Sequence, residues 1–309
     1  MELYSQIDIL YKGANYMVFY VIGNGFDLHY GLDTRYSSFK EYLLDKDWEL
    51  VEKVDELFED YMMADNPDDI ELWNTFEDML RVFCLLDGDS IYDTAIDNAE
   101  FDDDCAGYFD SPSFNVDYYT EYISTLKIEF SNWINEMDSN ISKDRYFDPD
   151  NDDYILTFNY TKTIENNFDV DEANILHIHG KVGGDIIVGH NDYREPDLLD
   201  IQWDEDSDYR DISTREAVNG VLEEAAQLYF KDSKSLLERN KMFFKHIDEC
   251  EKVVFLGLSC GKQDNLYVEE IAKHAHKVDF YYYDESSKKI FQRTCDKVNP
   301  NIEVNYLKW

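Results

Sequence analysis

Residues with useful chemistry fall in four short clusters, each beside an apolar run. Gly23-Asn24-Gly25-Phe26-Asp27 follows the run MVFYVI, Met17 to Ile22. Glycines allow a backbone to approach a ligand closely, and a helix starting here would aim free amides at an anion. The dinucleotide fingerprint wants a third glycine at position 28, where Leu28 stands, so the turn reads equally as a tight strand-to-helix connection. Asp27 suits either a helix cap or an acceptor for ribose hydroxyls. The second cluster, Thr157 to Thr161, places Asn159 where one rigid carboxamide offers both donor and acceptor, for a sugar, an attacking water or the loop's own amides. The third, His177-Ile178-His179-Gly180, puts both histidines on one face if the strand continues. His179 beside Gly180 then suits a general base near neutral pH, and His177 a structural role. The fourth is Gly257-Leu258-Ser259-Cys260-Gly261, followed by Asp264 and Tyr267. Ser259 suits a phosphate or its own loop, and Cys260 has no base at readable spacing.

These clusters need strand ends to hold them. Met17–Ile22, Tyr154–Phe158, Ile175–Ile178, Asp185–Val188, Lys252–Leu258, Lys277–Tyr283 and Ile302–Leu307 read as strands. Helical spacing covers Ser37–Tyr61, Ile70–Leu86 after a turn at Asn66-Pro67, Tyr118–Met137, one or two helices over Ile212–Glu249, and a stretch near Leu266–His276. Asp87–Asp117 and Pro196–Asp211 are acidic and read as loops, the first with room for a short helix. The pattern predicts an α/β fold with a doubly wound, mostly parallel sheet, which binds ligands beyond the carboxyl ends of its strands. One nucleotide-binding domain would span 1–309, with a mainly helical insertion over 37–150 after the first βα unit. An acidic loop and helical insertion would cover 196–250.

Composition narrows the function. Hydrophobic residues make up 44%, enough for a large core, yet no apolar run reaches the roughly 18 residues of a membrane span. The first ten residues contain Glu2 and Asp8 and lack the order of a signal peptide, which predicts a cytoplasmic protein with no membrane partner. Cys84, Cys105, Cys250, Cys260 and Cys295 form no CxxC pair, so free thiols and no structural metal are expected. A formal charge of -40 disfavours binding to a phosphate backbone. It fits solubility, a salt-adapted host or a nucleic-acid mimic.

With these residues in view, the sequence resembles the bacterial abortive-infection AbiH family. The resemblance rests on Ile22 to Leu28, Gly31-Leu32, Thr34, Tyr36, Trp73, Phe76, Glu77, Phe158 to Thr161, Glu165, His179-Gly180, Gly189-His190-Asn191, and Leu256-Gly257 through Ser259 to Asp264 and Tyr267. Asp33 and Arg35 stand where that pattern has proline and a small polar residue, which touches only the local loop. More distantly, the order of strand ends is similar to the sirtuin fold. That resemblance implies NAD as substrate or ligand, with Asn159 and His179 at the reacting ribose. Gly23, Asn24, Gly25, Phe26, Asp27, Gly257, Ser259 and Asp264 would line the nucleotide. Thr161 replaces an aspartate of the sirtuin pattern and the paired-cysteine zinc module is missing, so a protein deacetylase is disfavoured. The expectation is a phage-defence effector that hydrolyses a nucleotide such as NAD, held in check by a homo-oligomer or a phage-protein trigger. The alternatives are a non-catalytic nucleotide sensor or interaction module, and a metal-dependent nuclease built on His177, His179, His190 and Asp192.

Overall fold

The computed structural model describes residues 16–62, 73, 75–100, 112–137, 139–142, 147–203 and 208–309. The segment Met1–Leu10, the turn at Asn66-Pro67, the expected helix start at Ile70, and Cys105 lie outside the described residues. Chain contacts divide the protein into two compact units. The first comprises Met1–Asp33, Met137–Gly184 and Ser233–Trp309; the second comprises Thr34–Glu136 and Asp185–Asp232.

The first unit holds one six-stranded sheet, all parallel, in the order β3-β2-β1-β4-β5-β6. Its strands are β1 (Val18–Ile22), β2 (Tyr154–Thr157), β3 (Ile175–His177), β4 (Lys252–Leu256), β5 (Lys277–Tyr282) and β6 (Glu303–Lys308). Apolar β-branched and aromatic residues fill the central strands because both faces are covered, as parallel sheets require. Val21, Ile22, Phe255 and Leu256 have no exposed surface. Around β1 the connections are α1 (Asn24–His29) and, after β2, α7 (Thr163–Asn167); α9 (Ser233–Arg239) and α10 (Lys241–Phe244) precede β4. The helix α11 (Asn265–His274) crosses from β4 to β5, and α12 (Glu285–Val298) from β5 to β6. Asp284 caps α12, its carboxylate accepting from the Ser287 amide at 2.8 Å and the Ser287 hydroxyl at 2.7 Å.

The second unit is helical: α2 (Tyr36–Lys46), α3 (Trp48–Met62), α4 (Phe76–Met79) running into a 3-10 turn (Leu80–Cys84), α5 (Gly88–Glu100), α6 (Pro112–Glu136) and α8 (Tyr209–Leu228). Its core is aromatic, with Phe39, Trp73, Phe76, Phe130 and Trp133 in mutual contact. The structure corrects two expectations and, over the acidic stretch, supplies the helix for which the sequence left room. Asp185–Val188 is not a strand; the chain makes only an isolated bridge between His190 and Phe230. The acidic stretch after Asp87 contains the 13-residue α5, whose Ile91 and Ala95, four residues apart, are both buried. Ile212–Glu249 is broken into α8, α9, α10 and a further 3-10 turn (Lys245–Glu249), not one or two helices.

The ends of β1 and β4 touch through glycine. A Cβ on Gly257, at φ +68°, would sit 2.2 Å from the Phe26 nitrogen; one on Gly25 would sit 2.8 Å from the Gly257 Cα. The Gly25 amide donates to the Gly257 carbonyl at 2.8 Å, and the Gly23 amide to the Leu256 carbonyl at 3.0 Å. Gly257→Ala should therefore abolish folding of the first unit in thermal melts. Gly31→Ala, at φ +87° with nothing within 4 Å of the added carbon, should cost only about 1–2 kcal/mol for the left-handed backbone. Similar melting temperatures for the two variants would refute the packing argument.

Candidate functional site

The carboxyl ends of β1, β2 and β3 gather a buried polar network. Asp27, on the first turns of α1, is 1% exposed. Its Oδ2 accepts from the Thr161 hydroxyl at 2.6 Å, and Thr161 Oγ accepts from Thr163 at 3.0 Å. Oδ1 has no hydrogen-bond partner among the described residues. Burial pushes the Asp27 carboxyl above the usual range, while the Thr161 hydrogen bond and the neighbouring polar groups of Thr163, Asn159 and His177 pull it down.

Asn159 is fixed by its backbone: its amide donates to Thr157 Oγ at 3.1 Å and its carbonyl accepts from His177 Nδ1 at 2.9 Å. Its side-chain oxygen, like Asp27 Oδ1, is buried with no partner among the described residues. His177 Nε2 lies 2.9 Å from Glu165 Oε1, which also accepts from Lys181 Nζ at 2.7 Å. Burial alone would raise the Glu165 pKa; the hydrogen bonds and charge of His177 and the Lys181 ammonium outweigh it and hold it at about 2. His177 thus acts as a strut for the Asn159 loop.

His179 goes elsewhere. β3 ends at His177, and Ile178 and His179 already lie in a turn that Gly180 completes at φ +79°. The expectation that both histidines share a strand face is corrected by that turn. His179 is 2% exposed and packs edge-on against Phe158 and Tyr267, at centroid distances of 5.5 and 5.7 Å. Removing its ring would leave a cavity among aromatic side chains.

The remaining expected residues divide. Phe26 turns inward against Phe147 and Phe168 in the hydrophobic core. The amides of Gly23, Gly25 and Phe26 are committed to the carbonyls of Leu256, Gly257 and Gly23, so a ligand would meet side chains here and not those amides. Asn24 and Ser259 are exposed. Asp264 is half-buried at the start of α11. Cys260 is buried in the left-handed region at φ 56°, and burial pushes its thiol well above the ordinary value, which removes it as a nucleophile. Sequence reasoning missed Thr163 and Lys181; the Thr-x-Thr spacing at 161 and 163 was the available signal for the first.

The second unit holds its own buried polar groups. Lys231, with no exposed surface, pairs with Glu77 at 2.8 Å, and Arg81 with Asp192 at 2.7 Å. His190 Nε2 lies 3.4 Å from Cys84 Sγ. Burial lowers the His190 pKa to about 4, against the opposing charge of Asp192, and raises the Cys84 thiol. Both are then neutral, which is the opposite of an activated thiolate–imidazolium pair. Among the described residues no group of three or more His, Cys, Asp or Glu is placed to hold a metal. No described helix is long and apolar enough to cross a membrane.

A family model described as bacteriophage abortive infection AbiH matches residues 19–284, from β1 to just past β5. No curated protein and no solved structure matches the chain.

The shifted groups set two pH windows. A His whose folded pKa is depressed gives stability that is complete above its unfolded value and lost as pH falls through the folded one. His190 should therefore weaken the fold between about pH 6.5 and its pKa of about 4. Glu165 follows the same sign for a depressed carboxylate, with its loss between about pH 4.5 and 2. Each is on the order of 3 kcal/mol. Melts across pH 7.5 to 2.5 should show His190→Gln flattening the upper window and Glu165→Gln the lower. Unchanged profiles in both variants would contradict the assignments.

Proposed function

Because the chain belongs to the bacteriophage abortive infection AbiH family, we propose that it acts in phage defence on a nucleotide held at the carboxyl ends of β1, β2 and β3, with NAD the first substrate to test. One observation carries this reading: two buried acceptor oxygens, Asp27 Oδ1 and Asn159 Oδ1, lack protein partners among the described residues at the end of a doubly wound parallel sheet. Leaving such groups unsatisfied costs stability, and a ligand's hydroxyls or a water would satisfy them. Doubly wound sheets place ligands at this end of their strands.

Cleavage of the bond between nicotinamide and ribose builds positive charge on the sugar. The Asp27 carboxylate, anchored by Thr161, would stabilise that charge from a site largely closed to water. Asn159 would orient the ribose or the attacking water, since its loop is braced by His177. His179 would take the water's proton from the wall formed with Phe158 and Tyr267.

Asp27→Asn keeps shape and removes charge; Asn159→Ala removes the carboxamide. Loss of about 3 kcal/mol of transition-state stabilisation would slow nicotinamide release roughly a hundredfold. Both variants should do this with little change in melting temperature. Activity should also rise with pH along a limb above the ordinary carboxylate range, because ionised Asp27 is the active form and burial raises its pKa. Wild-type rates in both variants would place the site elsewhere. Binding of NAD without turnover, even with phage proteins supplied, would replace the enzyme by a nucleotide sensor.

A further inference from the structure

The first seven residues beyond each of β2, β3 and β4 differ in charge from the rest of the chain. Asp and Glu number 68 against 28 Lys and Arg, in 309 residues. Yet residues 158–164 contain Lys162 and no carboxylate, 178–184 contain Lys181 and no carboxylate, and 257–263 contain Lys262 and no carboxylate. The opposite end of the same strands is densely acidic. Asp148, Asp150, Asp152 and Asp153 precede β2. Asp248, Glu249 and Glu251 precede β4. Their field is felt locally: burial and, after it, the charges of Asp153 and Glu249 push the Cys250 thiol up to about 12.

Sheet order places these lysine loops around the site. β2 and β3 lie on one side of β1 and β4 on the other, so Lys162 and Lys181 flank the Gly23–Asp27 turn opposite Lys262. Lys162 reaches across to the β3 loop, its Nζ 3.6 Å from where a Cβ on Gly183 would stand. The β3 loop is tied back by the Val182 amide, which donates to the Tyr160 carbonyl at 2.8 Å. The carboxylates that follow these stretches directly are Glu165, which faces both His177 and Lys181, Asp185 and Asp264. The buried acceptors Asp27 and Asn159, at the ends of β1 and β2, are an independent sign of a ligand.

We infer that the ligand of this crevice is a phosphate-bearing nucleotide, its phosphates met by Lys162, Lys181 and Lys262 and its ribose hydroxyls by Asp27 and Asn159. This rests on the reading of the strand ends as a nucleotide site and adds the part of the molecule that is recognised by charge. A chain of net charge -40 repels anions on average. A preference for phosphate must then come from these local cations. The arrangement also explains how a carboxylate and phosphates coexist: the acid is buried, while Lys162 and Lys181 are half-buried and Lys262 is exposed.

Calorimetric titration with ADP against adenosine, and UDP against uridine, tests this. The diphosphate of at least one pair should bind about tenfold or more tighter than its nucleoside at about 0.02 M salt, and the ratio should shrink at about 0.3 M. The double variant Lys162→Ala with Lys262→Ala should close that gap while melting normally. Equal binding of nucleoside and diphosphate, or a gap that survives loss of the lysines, overturns the phosphate inference and leaves the nucleotide site standing. Binding of none of the four overturns both.

Discussion

The contact between two glycine loops is the constraint on which the site depends. Gly23 and Gly25 close β1, Gly257 closes β4, and their backbones meet where no Cβ fits. In a sheet wound outward from β1 and β4, the crevice between those two strands is the usual place for a ligand. Here protein backbone fills it. Polar side chains are displaced to the other side of β1, and that is where Asp27, Thr161, Asn159 and His177 converge. The glycine contact also sets where α1 begins, and so puts Asp27 against the Thr161 hydroxyl.

All six strands were legible, the central ones because their residues must be apolar on both faces. MVFYVI and KVVFLGL admit few other readings. Short apolar runs also mislead: Ile186 and Val188 are buried, but in irregular chain of the second unit, and only His190 bridges to a neighbour. Acidic composition hid α5, because helical spacing in that stretch rests on few apolar positions. The candidate site was legible in its positions and less so in its directions. His177 and His179 differ by two residues, yet a turn after one strand residue separates their environments. Nothing in the types His-Ile-His states where the strand stops. Phe26 likewise looked like part of a binding loop and is a core residue, since a helix beginning at Asn24 turns it inward.

The second unit gathers Trp73, Phe76, Glu77 and His190, all residues through which the chain resembles its family. Trp73 and Phe76 stack with rings 5.4 Å apart in the aromatic core. Glu77 meets a lysine that has no exposed surface. A buried pair of this kind adds little net stability but penalises loss of either partner. These positions therefore constrain the unit's interior and need not report on chemistry at the strand ends.

The order of strands along the chain has a consequence for how the protein is made. Val18 pairs with Lys252, and Phe19 with Tyr154. The central strand thus precedes both neighbours in the chain and receives the second only after both segments of the second unit have been made. Pairings so distant in sequence close slowly, because loop entropy must be overcome before contacts form. Until then a strand with both edges open is prone to wrong partners. The same delay means that the Gly25–Gly257 contact, and with it the site, cannot exist in a nascent or truncated chain.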